Sequence, residues 1–180
     1  IVDLLKIDVE GGEMHVLRGA DKLLSEHRAL FVYSEFVLAS VRENDPNLWH
    51  QHKFLHDRGY RLIDLEMNHT RYSRETMKFP KANDRGMVIA GDAVFVLDPA
   101  VNMLGREESQ RMAAIAFAFG FSSFAMSLLR DAGLTSESDI AAIEQAMRHV
   151  RFKKRLKDAW QAVPGKVDNF LRGIYRIIGR

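Results

Sequence analysis

The sequence contains no cysteine among its 180 residues. This absence excludes a disulfide framework, a cysteine-based zinc site and a thiol nucleophile, and it favours a cytoplasmic protein. The chain begins with Ile rather than Met. It also lacks a basic segment followed by a small-residue cleavage site, so we predict an internal cut in a longer chain and no secretory signal.

Long hydrophobic runs are also missing. The longest apolar stretch, residues 113–129, is interrupted by Gly120 and by three serines. It falls short of the roughly 20 residues that a membrane-spanning helix needs, and we interpret it as buried helix. With 47% hydrophobic and 28% charged residues, the composition is typical of a globular domain with an appendage.

Charge is distributed unevenly along the chain. Residues 148–180 carry ten Lys or Arg against two Asp, a local charge of +8, so the total of +2 leaves −6 for residues 1–147. Such asymmetry indicates two parts with different surroundings. We predict an α/β domain over residues 1–98 and an all-helical C-terminal extension over 99–180.

Hydrophobic periodicity predicts alternating strands and helices in the first part. The predicted strands are Ile1–Asp8, Ala29–Phe36, Tyr60–Glu66 and Ala93–Leu97, and the predicted helices run from Glu13 to near His27 and from Asp45-Pro46 to Gly59. The polar stretch Met67–Gly91 is predicted to be a long excursion. Strand–helix alternation predicts a parallel sheet, and the last two strands, with no helix between them, predict an antiparallel edge hairpin.

The second part shows only helical patterns. We predict helices over Arg106–Phe119 and Ser122–Ala132, a long helix after Thr135, and a terminal helix after Pro164-Gly165 with one apolar and one basic face. The terminal helix could dock onto its own protein, lie on a membrane surface or contact nucleic acid. Its wide apolar face argues against nucleic acid, favours docking and leaves peripheral membrane contact as the second interpretation.

The first turn carries a distinctive motif. It reads Leu5-Lys6-Ile7-Asp8-Val9-Glu10-Gly11-Gly12-Glu13, followed by Val16-Leu17-Arg18-Gly19-Ala20. It closely resembles the Leu-Lys-Ile-Asp-x-Glu-Gly-x-Glu…Leu-x-Gly signature of FkbM-type methyltransferases. A strand that ends near Glu35, and Gly59-Tyr60 leading into the next strand, agree in order. The resemblance covers about residues 1–98.

The resemblance implies a methyltransferase that moves a methyl group from S-adenosyl-L-methionine to a hydroxyl of a glycan or similar small acceptor. It implies that residues 1–98 are the C-terminal half of a Rossmann-like class I sheet, with its last four strands. The cofactor-binding Gly-x-Gly-x-Gly loop of such a fold occurs nowhere in this sequence. We therefore expect the acceptor side of the cleft here and little activity from the isolated chain.

Three carboxylates, Asp8, Glu10 and Glu35, follow the carboxyl ends of predicted neighbouring strands. Ligands of open parallel sheets bind at such ends. We predict that these three are the catalytic residues, with one as a general base or two binding a divalent cation, and that Asp8 also contacts the cofactor. The structural alternative is that Glu10 and Glu13 charge a helix start while Asp8 accepts backbone N–H bonds in the turn.

Further candidates are less well supported. Lys6, in an apolar strand, is predicted either to form an internal ion pair with Asp8 or Glu35 or to point to the cofactor. Lys6 is also among the residues predicted to bind the acceptor, together with three residues of the long excursion: His69, Arg71 and Tyr72. His52 and His56 have metal-ligand spacing but lack the zincin glutamate, and we interpret them as surface histidines. The competing function is a non-catalytic scaffolding module whose helical tail recruits a partner or a membrane.

Overall fold

A four-stranded mixed sheet dominates the first part of the computed structural model, which describes residues 2–38, 47–70, 86–136 and 138. The chain divides into two compact units, Ile1–Asn102 and Met103–Arg180. The sheet belongs to the first unit, and its strand order is β1-β2-β4-β3. The chain is therefore mixed α/β, as the alternating pattern predicts.

The first two strands run parallel, as predicted. Strand β1 (Val2–Ile7) pairs with β2 (Ala29–Val37), with Val2 opposite Ala29 and Ile7 opposite Ser34. Their branched and aromatic residues favour a pleated, buried conformation. Because a parallel pair needs a crossover connection, the intervening helical segment packs back on the sheet.

The single helix predicted from Glu13 to His27 is instead two short helices, α1 (Glu13–Gly19) and α2 (Asp21–Ser25). The break falls at Ala20, which follows Gly19, a residue that weakens helix continuation. The segment ends at His27, which has a φ of 55°. The His27 amide donates to Leu24 and the Arg28 amide to Leu23, so the last carbonyls are satisfied as in a left-handed helix cap.

Helix α3 (Leu48–His56) begins three residues later than Asp45. Asn47 caps it, because its Oδ1 accepts from the Trp49 amide at 3.1 Å while the Asn47 amide donates to His50 Nδ1 at 3.2 Å. The helix ends at His56, just before Gly59, which adopts a φ of 81°. The predicted stop at this glycine is therefore close to the observed one.

The last two strands are longer than predicted. Strand β3 (Tyr60–Thr70) and β4 (Met87–Leu97) pair antiparallel, so the predicted antiparallel relation is confirmed. The predicted excursion Met67–Gly91 is wrong at both ends, because the antiparallel pairing of β3 with β4 continues into it from both sides. Exposed side chains such as Met67, Met87 and Ile89 lie on these extensions. Residues 71–85 lie outside the described part of the chain.

The hairpin does sit at one edge of the sheet, but of its two strands only β3 is an edge strand. Strand β4 lies between β2 and β3 and pairs antiparallel with both. Two antiparallel steps give β3 the same direction as β1 and β2. The carboxyl ends of these three strands and the amino end of β4 therefore lie at one edge of the sheet.

One face of the sheet changes from apolar to polar along β2. Cross-strand partners share a face, and so do alternate residues of one strand. Phe31 lies opposite Val96 and Tyr33 opposite Val94 on this face, and Phe31, Val94 and Val96 are at most 2% exposed. Two residues further along, charged side chains replace apolar ones, and the candidate site lies at this end.

The second unit contains α4 (Arg106–Ala118) and α5 (Ser122–Asp131), which pack against each other. Both lie close to the predicted bounds, and Gly133, with a φ of 63°, follows α5 as expected. Among the described residues, no helix has both the length and the apolar character needed to cross a membrane. The predicted long helix after Thr135 and the basic terminal helix lie almost entirely outside the described residues.

Candidate functional site

The turn after β1 has an unusual backbone. Glu10 adopts a φ of 53° and Gly11 a φ of 98°. Positive φ costs a residue with a β-carbon roughly 1 kcal/mol, whereas glycine tolerates it. The turn reverses the chain directly after the strand and leads into α1 at Glu13. As a result, Asp8 and Glu10 stand at the carboxyl end of β1.

The carboxylate of Glu13 holds this turn. Its Oε1 accepts hydrogen bonds from the amides of Val9 at 3.2 Å and Gly11 at 3.1 Å, and Glu13 is only 7% exposed. The structural alternative assigned this role to Asp8, and that assignment is wrong. Glu13 starts α1, so its side chain folds back over the turn with its charge near the helix N-terminus, where a negative charge is stabilised.

The structure brings together the three predicted carboxylates. One oxygen from each of Asp8, Glu10 and Glu35 lies within 4.8 Å of the other two. Asp8 and Glu10 are exposed, whereas Glu35, on β2, is partly buried. Their convergence follows from the parallel pairing of β1 with β2, since Ile7 lies opposite Ser34.

Burial and like charge both act on Glu35. Desolvation raises the pKa of its carboxyl above the ordinary value, and the negative charges of Glu10 and Asp8 raise it further. A carboxylate with a raised pKa binds a proton more readily near neutral pH, as a general base requires. Alternatively, the three carboxylates could hold a divalent cation, which prefers such oxygen ligands.

Lys6 supplies a positive charge beside this group. Its Nζ lies 2.5 Å from Asp8 Oδ2, and the two side chains are 40% and 48% exposed. The predicted pairing with Asp8 is therefore present, but its predicted internal position is wrong. The reason is that Lys6 lies opposite Tyr33, on the face whose polar end is open to solvent.

A further row of polar residues was not predicted. Asp92 on β4 lies directly opposite both Glu35 on β2 and Glu66 on β3. The hydroxyl of Tyr33 donates a hydrogen bond to the Asp92 carboxylate, and burial together with the charges of Asp92 and Glu66 raises the Tyr33 pKa. The alternation of Asp64, Glu66 and Asn68 with apolar residues was the available signal for a strand with a polar face.

The backbone of Glu35 is held from the other side of the strand. Its carbonyl oxygen accepts from Gln51 Nε2 at 2.9 Å and from Ser34 Oγ at 3.2 Å. Gln51 and Ser34 are almost fully buried. The pairing of β1 with β2 ends at Ser34, so Glu35 has no partner residue on β1. The Gln51 and Ser34 side chains supply hydrogen bonds to its carbonyl instead. Helix α3 therefore fixes the strand position from which the Glu35 carboxylate projects.

The other predicted residues are not brought to this group by any described contact. His69 lies on β3, opposite Val88 and exposed, rather than in a long loop. Arg71 and Tyr72 lie outside the described residues. His52 and His56 stack with ring centroids 5.7 Å apart, and the described part of the chain shows no carboxylate joining them in a potential metal cluster. The surface interpretation suits His56, which is exposed, and His52 is half-buried.

Comparison with known proteins agrees with the motif at the first turn. Residues 1–62, 62 of the 180, match the family model described as methyltransferase FkbM domain. The match covers the N-terminal portion of the chain and is shorter than the predicted 1–98. Assignment to the C-terminal half of the domain stays a prediction. No curated protein and no solved structure matches the chain. The similarity to the methyltransferase FkbM domain therefore lies in residues 1–62, the part of the chain that contains the first turn and Glu35.

Proposed function

We propose that the chain forms the acceptor side of an S-adenosyl-L-methionine-dependent O-methyltransferase with a Rossmann-like sheet. The proposed acceptor is a hydroxyl of a glycan or a similar small molecule. The observation that carries the proposal is the convergence of Asp8, Glu10 and Glu35 within 4.8 Å. Two of these three lie in the motif, and all three lie in the matched residues 1–62. The mixed sheet is compatible with this fold.

The chain's residues fit such a cofactor only in part. S-adenosyl-L-methionine supplies a methyl group on a positively charged sulfur. Asp8 is the proposed contact, because it lies exposed at the end of β1 and its carboxylate would accept from polar groups there. No Gly-x-Gly-x-Gly sequence is present, so the proposal assigns this chain chiefly to the acceptor.

In the proposed reaction, a carboxylate prepares the acceptor hydroxyl. An alcohol oxygen becomes a useful nucleophile when its proton is removed as the new oxygen–methyl bond forms and the methyl–sulfur bond breaks, with S-adenosylhomocysteine as the leaving group. Glu35 is the proposed base, because its carboxyl is the least exposed of the three and its pKa is raised. The Glu35 oxygen takes the hydroxyl proton, and Asp8 and Glu10 accept hydrogen bonds from neighbouring hydroxyls. A polyhydroxylated acceptor suits a site so rich in acceptor oxygens.

Cofactor binding and chemistry are tested separately. S-adenosylhomocysteine is titrated by calorimetry into the natural full-length protein and into Glu10→Gln and Glu35→Gln variants. Transfer of labelled methyl groups is then measured on a panel of mono- and oligosaccharides, with and without chelator. We expect cofactor binding to persist and transfer to fall roughly 100-fold or more in Glu35→Gln, the usual scale for a lost general base.

The control variant is Glu26→Gln, an exposed carboxylate on the surface segment after α2. It should leave transfer unchanged. A full-length protein that binds no S-adenosylhomocysteine and shows no methyl transfer would contradict the proposal. That result would favour the scaffolding module, whose basic tail and peripheral membrane contact stay predictions because residues 139–180 lie outside the described chain.

A further inference from the structure

We propose that Glu13 is a positioning residue, which holds the turn that places the Asp8 and Glu10 carboxylates beside Glu35. The inference deepens the proposed function and rests on it for its catalytic meaning. The geometric claim stands on the contacts of Glu13 alone. Glu13 touches backbone and is buried, so it acts through its neighbours.

The turn needs an external hold because Glu10 is in a conformation that it does not favour. A glutamate at a φ of 53° is in the left-handed region, where its β-carbon crowds the backbone. Glycine occupies the next position, at a φ of 98°, and the Gly12 amide donates to the Val9 carbonyl across the turn at 3.3 Å. Neither feature removes the crowding at the Glu10 β-carbon itself. Such conformations persist where surrounding interactions over-determine them.

The contacts of Glu13 bracket the strained residue. Its Oε1 binds the amides of Val9 and Gly11, which are the residues on either side of Glu10. Both amides therefore point at one oxygen atom, and the backbone between them has to turn sharply. A single acceptor that binds residues i−1 and i+1 restricts the dihedral angles of residue i. We infer that this contact sets the direction in which the Glu10 side chain projects.

The position of Glu13 explains why its carboxylate suits this role. It is the first residue of α1, so its carboxylate lies beside both the turn and the helix N-terminus. The first amides of a helix have no partner within the helix, and they favour a nearby negative charge. Charge-assisted hydrogen bonds of this kind are stronger than neutral ones. Helix α4 also has an acid in its first turn, Glu107, but that side chain is 83% exposed.

The test reads the turn itself, in isotopically labelled full-length chain by nuclear magnetic resonance. Scalar couplings report the φ of Glu10, and hydrogen exchange reports protection of the Val9 and Gly11 amides. In Glu13→Ala we expect the Glu10 couplings to leave the positive-φ range and exchange of both amides to accelerate at least about tenfold, since their acceptor is removed. In Glu13→Gln an acceptor oxygen remains, so the couplings should be retained.

Two further variants separate positioning from general stability. Glu107→Ala removes a helix-start acid that holds no such turn, and it should change neither readout. If Glu13→Ala does not fold, Glu10→Gly is added, because glycine accepts positive φ unaided and should restore folding. Unchanged Glu10 couplings in a folded Glu13→Ala chain, or an unfolded double variant, would overturn the inference.

Neither readout depends on methyl transfer. A chain that fails to bind S-adenosylhomocysteine but loses the turn in Glu13→Ala would refute the proposed function and leave the role of Glu13 intact. The reverse result, transfer activity with an unchanged turn in Glu13→Ala, would remove only the positioning role.

Discussion

The hydroxyl of Tyr60 donates a hydrogen bond of 2.7 Å to the carbonyl oxygen of Ala29. These are the first residues of β3 and β2, which are not neighbours, because β4 lies between them. The Tyr60 side chain is 1% exposed, and burial raises its pKa. This bond therefore connects the edge strand β3 to the inner strand β2, across β4.

Loss of this hydroxyl should be measurable. We expect Tyr60→Phe to lower the free energy of unfolding by about 1 to 2 kcal/mol, because the buried Ala29 carbonyl loses its Tyr60 donor. Urea unfolding followed by circular dichroism provides the measurement. Ser25→Ala, which removes a longer and exposed hydroxyl contact, should change stability by less than about 0.5 kcal/mol. Equal effects of the two variants would contradict the prediction.

Gly91 on β4 has no room for a side chain. A β-carbon there would meet the carbonyl oxygen of Glu66 and lie 2.9 Å from Phe36 Cζ. We expect Gly91→Ala to destabilise the chain by about 2 to 3 kcal/mol, the cost of overpacking. This cost outweighs the small gain in stability that alanine brings by lowering the entropy of the unfolded chain. Gly19→Ala, at an open helix position, should be neutral or stabilising by up to about 1 kcal/mol. Thermal unfolding of both variants gives the comparison.

Arg58 joins the end of α3 to α2 through several contacts. Its Nε donates to Asp21 Oδ1 at 2.6 Å, its Nη1 donates to the Phe54 carbonyl at 2.7 Å, and its guanidinium lies 3.5 Å from the Phe54 ring centroid. Lysine cannot reproduce a planar fork that also stacks. We expect Arg58→Lys to cost about 1 to 2 kcal/mol by urea unfolding.

The matched control for Arg58 is Lys53→Ala, on helix α3 just before it. Lys53 pairs with Asp57 at 2.8 Å, but its side chain is 77% exposed. Solvent screens such a pair, and we expect no measurable change in the unfolding midpoint. If Arg58→Lys left the urea unfolding midpoint as unchanged as Lys53→Ala does, the contacts of Arg58 with Asp21 and Phe54 would contribute nothing to stability.

Glu35 should give a pH-dependent stability. Burial, Glu10 and Asp8 raise its pKa in the folded chain, so the folded state binds this proton more tightly than the unfolded state does. Ionised Glu35 therefore lowers stability above its folded pKa, and this loss disappears as the pH falls below the ordinary value of 4.5. We expect Glu35→Gln to stabilise the chain at neutral pH by about 1 kcal/mol or less, given its partial solvation.

The measurement is the difference in urea midpoint between Glu35→Gln and the parent, taken from about pH 4 to pH 8. The difference should shrink toward zero at the acidic end. Glu26→Gln, which loses contacts with Lys22 and Arg28, should show no gain at neutral pH. A gain from Glu35→Gln that persists unchanged at pH 4 would exclude the electrostatic explanation.

Local patterns predicted most of the elements. The apolar runs placed β1 and β2 within a residue or two, because buried parallel strands are continuous in hydrophobicity. They failed for the outer parts of β3 and β4, from Met67 to Thr70 and from Met87 to Ala90. The β3 part mixes polar and apolar residues, and the apolar β4 part exposes Met87 and Ile89 instead of burying them. There the strands are maintained by pairing with each other, and a partner strand is not visible in a local window.

Sequence alone determined that Asp8 and Glu10 follow a buried strand, that Glu35 lies near the end of the next one, and that residues 5–20 resemble the FkbM-type motif. Parallel pairing of adjacent strands was enough to bring these carboxylates together. The tertiary structure decided the rest. Because β4 lies beside β2, Asp92 is placed opposite Glu35. Among the acids near the first turn, it is Glu13 that accepts the hydrogen bonds of the Val9 and Gly11 amides. Such choices depend on distances between atoms, which residue order does not fix.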